Sequence, residues 1–260
     1  MTWALKRQIL YILGLLIFFG AIALYFLWPY INKPPTCFDG KQNGTELGVD
    51  CGGGCVRACS FEVDKLSIFW SRSFEVVPGR YNAVSYIENQ NPNKIIRKIK
   101  YRFRFADKDN LYIGQREGET FVPPAGKFAV FEPAINLGNS IPVYTTFEFT
   151  EAPLWENVDP SVVDQLNLVV YDINLTNEDS TPKLSAVIRN DSLFVIPDLN
   201  AVAILYDDLN NALSVSSTYV PVLNRESRVD VNFTWRAPMS KKVLTKEIIP
   251  MFNIQNIRLK

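Results

Sequence analysis

Lys98-Ile99-Lys100-Tyr101-Arg102-Phe103-Arg104-Phe105 alternates cationic and apolar side chains without a break. Successive side chains of a strand point to opposite faces, so this stretch reads as a strand with one buried and one solvated side. Leu66-Ser67-Ile68-Phe69-Trp70 and Val229-Asp230-Val231-Asn232-Phe233 show the same period of two, and Gly, Pro, Asn and Asp clusters separate such runs. Short strands between turn signals predict an antiparallel sandwich, not βαβ units. Beyond residue 60, only Asp159 to Leu166 reads as a helical turn.

The β region repeats itself. Lys65 to Trp70 aligns with Gln165 to Val170, Ile87-Glu88-Asn89 with Ile188-Arg189-Asn190, and Phe105-Ala106-Asp107 with Tyr206-Asp207-Asp208. The offset stays near 100 residues. Each copy is expected to close with a strand ending in Ala-Pro, at Ala152-Pro153 and Ala237-Pro238, the first carrying extra residues around Ala134 to Val143. Units of this size with several short strands predict two tandem immunoglobulin- or fibronectin-like β-sandwiches, over residues 61–158 and 159–260.

On the strand from Lys98 to Phe105, Lys98, Lys100, Arg102 and Arg104 form an outward basic row over a core of Ile99, Tyr101, Phe103 and Phe105. The alignment puts Ala201, Ala203 and Leu205 outward in the second copy, so the fold itself does not demand the basic row. Contact with an anionic cell-surface polymer is one reading of it. A solvated sheet face, or an edge strand protected by charge, is the other. Cover by the C-terminal segment or the neighbouring domain is the expectation for the apolar row, and a partner interface is the alternative.

Ahead of the β region, all four cysteines, Cys37, Cys51, Cys55 and Cys59, fall in one stretch over residues 32–60. An even, closely spaced set in an exported chain reads as two disulfides with three pairings open. A four-thiolate zinc site is the competing reading, weakened by the absence of paired CxxC knuckles. Asp39, Asn43, Glu46 and Asp50 are interleaved with glycines. Such spacing suits a loop wrapped around Ca²⁺, and equally a turn-rich solvated link.

Ile9 to Trp28 contains no charged residue and has about the ~20-residue length of a bilayer-spanning helix. Lys6 and Arg7 precede it, and the next cation is Lys33. By the positive-inside rule, residues 1–31 form a signal anchor with a cytoplasmic N-terminus and an extracytoplasmic remainder. Ala21-Ile22-Ala23 has the form of a signal-peptidase site, but the apolar run continues past it.

The string DGKQNGTELGVDCGGGCVRAC resembles a motif, roughly DGxQNxxExxVDCGGxCxxC, of single-pass bacterial envelope proteins. In the second copy, Ala203-Ile204-Leu205-Tyr206-Asp207 resembles the FxLYD strand of small envelope β-sandwich modules. Both resemblances imply an envelope location and a sandwich fold, and neither implies a catalytic residue.

The 260 residues include 27 Lys+Arg, 27 Asp+Glu and no histidine. Zero net charge gives no general steering towards nucleic acid. Without histidine, Ser-His-Asp and Cys-His catalysis and histidine metal sites are excluded. No phosphate loop, G-x-S-x-G or dinucleotide fingerprint is present, and Asp207-Asp208 reads as a hairpin turn. The expectation is a non-enzymatic, membrane-integral binding or scaffold protein. It would have no small-molecule substrate and no cofactor beyond that Ca²⁺. Its partners would be an anionic surface polymer or other envelope proteins. A structural subunit assembled through the transmembrane helix is the rival expectation.

Overall fold

The computed structural model describes residues 3–31 and 34–259; Lys33 lies outside them. Helix α1 (Trp3–Ile31) is about 43 Å long at 1.5 Å per residue. From Ile9 to Trp28 it is apolar around its whole circumference, and none of this span is buried against the other described residues. It is long and apolar enough to cross a membrane.

The β region falls into two sets of seven strands. The first comprises β1 (Ser67–Val77), β2 (Arg80–Asn89), β3 (Lys94–Ala106), β4 (Tyr112–Val122), β5 (Gly126–Asn136), β6 (Tyr144–Phe149) and β7 (Trp155–Asn157). A short helix, α2 (Pro160–Gln165), leads to the second set; Asp159 caps it by accepting from the Ser161 amide. The second set is β8 (Leu168–Thr176), β9 (Lys183–Asn190), β10 (Phe194–Tyr206), β11 (Ala212–Leu223), β12 (Ser227–Thr234), β13 (Thr245–Met251) and β14 (Arg258–Leu259). Every pairing is antiparallel, and the strand order of the first set, β1-β2-β5 and β4-β3-β6 with β7 also on β3, recurs as β8-β9-β12 and β11-β10-β13 with β14 on β10. The repeat seen in the sequence is therefore a repeat of topology.

Each set has an apolar interior. In the first it is built on Ile87, Ile99, Phe103, Phe105 and Phe128, and in the second on Leu184, Ile188, Leu199, Leu205 and Phe233, all essentially inaccessible. The same buried asparagine brackets both. Asn89 donates through Nδ2 to the carbonyls of Lys94 (3.0 Å) and Pro123 (2.8 Å), and accepts from the Asn91 amide. Asn190 donates to the carbonyls of Phe194 (2.8 Å) and Asn224 (3.0 Å), and accepts from the Ser192 amide. One side chain thus ties two hairpins together in each set and satisfies carbonyls that burial would otherwise leave unpaired.

Three sequence expectations change. The second and third strands are joined by residues 90–93 in the first set and by residues 191–193 in the second, one residue fewer. The offset therefore drops by one, and Asp107 corresponds to Asp207, not Asp208. Both accept two backbone N–H groups across the same kind of turn. A one-residue slip exchanges the faces of a strand. Ala201, Ala203 and Leu205 accordingly point into the second core, while Val202, Ile204 and Tyr206 face outward. The Ala-Pro pairs are not equivalent: Ala152-Pro153 follows the sixth strand of its set, Ala237-Pro238 the fifth. Finally, β3 is flanked on both sides, by β4 and by β6 with β7, so it is not an edge strand.

Replacing Asn190 with leucine should lower unfolding stability by about 2–4 kcal/mol, because buried carbonyls lose their donor. Chemical denaturation checks this, and the equivalent change at Asn89 should cost a similar amount.

Candidate functional site

The basic row lies on the exposed outer face of the β4-β3-β6 sheet, where each cation meets a carboxylate from a flanking strand or its end. Lys98 Nζ is 2.7 Å from Glu119, and Lys100 Nζ is 4.0 Å from Glu151. Arg102 reaches Glu117 at 2.8 Å and Glu148 at 3.5 Å, and Arg104 reaches Glu148 at 2.9 Å. Four cations thus stand among Glu117, Glu119, Glu148 and Glu151, and the face has little net charge to offer a polyanion. Solvated pairs of this kind contribute about 0–1 kcal/mol each.

In the cysteine-rich segment the pairing is crossed: Cys37 joins Cys55 and Cys51 joins Cys59. Gly53 adopts a positive φ, and a Cβ there would overlap the Thr45 carbonyl oxygen, which explains a glycine at that turn. The segment is docked on the first set. Ala58 N donates to Trp155 O (3.0 Å), Asn157 N to Val56 O (2.6 Å) and Asn157 Nδ2 to Cys55 O (2.9 Å). Its acidic residues cross-link the loop. Asp39 accepts from Asn43 Nδ2 (2.9 Å) and Lys41 N (3.0 Å), Asp50 from Gly40 N (3.0 Å), and Glu46 from Asn43 N (3.2 Å) and Asp50 N (3.4 Å). The Asn43 amide is the main reason the Asp39 carboxyl lies below the usual carboxylate range. Among the described residues, the only three Cys, Asp or Glu groups whose ligand atoms converge are Cys37, Glu46 and Cys55. The two sulfurs of that trio are joined to each other, so neither is a thiolate ligand.

The side-chain hydrogen bonds that join the most distant parts of the chain lie at the seam between the two sets. There the outer face of β1-β2-β5 packs on the outer face of β11-β10-β13. Val84, Tyr86 and Ala129 from the first set share one buried cluster with Val202, Ile204, Val215, Ile249 and Met251 from the second. Polar ties surround this contact. Arg72 Nη1 donates to Ala212 O (3.4 Å), Asn82 Nδ2 to Val215 O (3.5 Å), and Gln255 Nε2 to Glu156 Oε2 (2.7 Å). At one end, Glu247 accepts from Tyr86 through one oxygen (2.7 Å) and from Tyr206 through the other (2.8 Å). Tyr86 belongs to the first set, and Tyr206 and Glu247 to the second. Burial first, and the Glu247 carboxylate second, push both phenols far above their ordinary range.

Sequence reasoning singled out none of Tyr86, Tyr206 or Glu247 as a site. Tyr86 and Glu247 are 161 residues apart, and no local periodicity announces such a contact. The usable signal was the Asp107-x-x-Asn110 and Asp207-x-x-Asn210 match, which fixes the offset at 100 and turns Tyr206 outward.

Among the described residues three clefts open along the seam, one of them, of about 300 Å³, between Phe131 and Pro133 on one side and Asn200 and Ser217 on the other. A second, of about 400 Å³, is lined by Phe74, Asn82, Thr234 and Trp235, among others, but the Trp235 indole nitrogen is buried out of reach of solvent. The third, of about 490 Å³, lies beside the Glu247 clasp and is lined by Phe69, Trp70, Lys127 and Lys246, among others.

No protein-family model and no curated protein sequence matches the chain. Among solved structures, red sea bream transglutaminase is similar at 12% identity and a TM-score of 0.26, over 74% of this chain and 30% of that one. Vicilin from Capsicum annuum is similar at 8% identity and a TM-score of 0.19, over 75% and 84% of the two chains. Likenesses at this level carry no argument about the seam or about activity.

The raised phenols set a pH dependence. A tyrosine harder to ionise in the folded chain contributes stability that is fully present below its unfolded value of about 10 and lost as pH rises above it. Melting followed by circular dichroism should show a steeper loss above pH ~10 in the natural chain than in a Tyr86→Phe, Tyr206→Phe double variant. Parallel curves would remove the clasp from the account.

Proposed function

We propose that this chain is a single-pass, non-enzymatic binding and scaffold protein of the cell envelope. In this reading the short N-terminus is cytoplasmic. The disulfide-bonded segment and two immunoglobulin-like sandwiches, residues 61–158 and 159–260, stand outside the membrane. The observation that carries it is α1, apolar on every side from Ile9 to Trp28 and packed against no other described element, followed by a crossed pair of disulfides. An unpacked apolar helix needs lipid around it, and disulfides persist in oxidising compartments. Lys6 and Arg7 before the span favour a cytoplasmic N-terminus. A three-stranded sheet of order β1-β2-β5 facing β4-β3-β6 is the arrangement expected of an immunoglobulin- or fibronectin-like unit.

The docked cysteine-rich segment and the apolar seam make the extracytoplasmic part a stiff body, which suits a scaffold. A subunit role through α1 is the second reading. At Gly14 and Gly20 an added Cβ would meet nothing within 4 Å, leaving that surface open to a second helix.

Impermeant maleimide labelling of intact cells tests the topology. A Lys108→Cys variant, exposed at the β3–β4 hairpin, should be labelled in intact cells, and a Lys6→Cys variant only after lysis. The opposite pattern, or release of the protein from membranes by alkaline carbonate, would overturn the reading.

A further inference from the structure

We propose that the groove beside the Glu247 clasp is a binding site for a neutral saccharide; the choice of ligand class rests on the extracytoplasmic reading above. A bulge in β1 shapes the groove. Ile68 pairs with Ile87 and Trp70 with Tyr86, so Phe69 is an extra residue inserted into β1. The matching stretch of the second set, Leu168-Val169-Val170, pairs with Asn190, Arg189 and Ile188 without interruption. The fold therefore does not require the insertion, and bulges of this kind commonly re-aim side chains beside functional sites.

The bulge brings two consecutive aromatic rings onto one partner. Trp70 stacks on Tyr86 with centroids 5.5 Å apart and planes 14° apart, and the Phe69 centroid is 5.9 Å from Tyr86. Phe69 nevertheless stays 52% exposed, an apolar ring held open at the mouth of a groove of about 490 Å³. That volume falls within the range of small-molecule sites.

The remaining lining selects the chemistry. Lys127 places Nζ 5.7 Å from the Phe69 and Tyr86 ring centres, and Lys246, Asn210 and Glu247 complete the wall. Donors and acceptors are therefore both present beside an apolar platform. A pyranose ring carries the complement: an apolar C–H face to lie on an aromatic ring, and hydroxyls that donate and accept around its rim. Charge argues for a neutral sugar. Lys127 and Lys246 are offset by Glu247 and by Glu88, the cross-strand neighbour of Lys127. The groove also draws on both sets, so a ligand there would bind only the docked arrangement.

The test uses the full chain in phosphatidylcholine nanodiscs, avoiding sugar-headed detergents. Calorimetric titration with cellohexaose, maltohexaose and chitohexaose should give saturable binding for at least one of them. Raising salt from about 50 to about 500 mM should leave that binding unchanged, because no net charge drives it. Phe69→Ala should weaken it at least tenfold, and Asn210→Gly, which removes the side chain but keeps the left-handed backbone there, should weaken it without lowering the melting temperature. Ile141→Ala, removing an exposed apolar side chain elsewhere, should have no effect. The proposal is overturned if none of the three saturates by about 10 mM, or if Phe69→Ala binds as the natural chain does. It is equally overturned if only hexagalacturonate binds and salt abolishes it. The cysteine labelling pattern is independent of this titration. Correct topology without saccharide binding defeats only the site, and saccharide binding with reversed topology defeats only the envelope placement.

Discussion

Burial of both faces of β10 is the constraint on which the arrangement of this chain depends. Ala201, Ala203 and Leu205 fill the interior of the second set, while Val202 and Ile204 on the opposite face press against the first. An antiparallel sheet ordinarily leaves one face to water. Here Val202, Ile204, Ile249 and Met251 form a row that water would penalise, each side chain gaining about 1.5–3 kcal/mol from full burial. The first set supplies the cover with β2 and its neighbours, so the second set is complete only when docked. Apolar contact alone would permit sliding, and the Glu247 clasp opposes it. A carboxylate taking hydroxyl donors from both sides satisfies its desolvated oxygens in one relative orientation of the sets.

Duplicated topology has therefore been put to unequal uses. The sheet β4-β3-β6 and the sheet β11-β10-β13 occupy the same place in their sets, yet one turns an ion-paired surface to solvent and the other an apolar surface to its neighbour. Arg102 and Arg104 correspond to Val202 and Ile204 once Asp107 is matched to Asp207. What differs is not the strand but what covers it. The mainly β, antiparallel character and most strand positions were legible because period-two alternation and turn residues act locally. So was the helical turn after Asp159. The register of the second copy was not legible: one residue missing between β9 and β10 leaves the pattern intact while exchanging the faces, and both faces of β10 are apolar. Where a strand is buried on both sides, alternation carries no information about which side is which.

The cysteine-rich segment shows a similar division. Its cysteine spacing was legible as a two-disulfide unit, whereas spacing alone left three pairings open and the crossed one is visible only in the folded segment. Its acidic residues, conspicuous as candidate ligands, spend their oxygens on backbone amides of the same loop. Close packing of a short chain with few apolar side chains needs such internal acceptors, because its turns leave many N–H groups without sheet partners.

Charge was the most visible feature of the sequence and the least informative about a site. A row such as Lys98, Lys100, Arg102 and Arg104 stands out because alternation collects it on one face, but strand pairing collects the neighbours' carboxylates on that face as well. Sequence displays the first collection and hides the second, since Glu117, Glu119, Glu148 and Glu151 are 15 to 51 residues away from the cations they meet. The opposite holds for the groove at Phe69. Its parts come from β1, β2, β5, β13 and the β10–β11 hairpin, and no local pattern in the chain brings these elements together. A surface assembled at the seam of two docked sets is invisible until the docking is known, and docking is the one property that neither copy of a repeat encodes by itself.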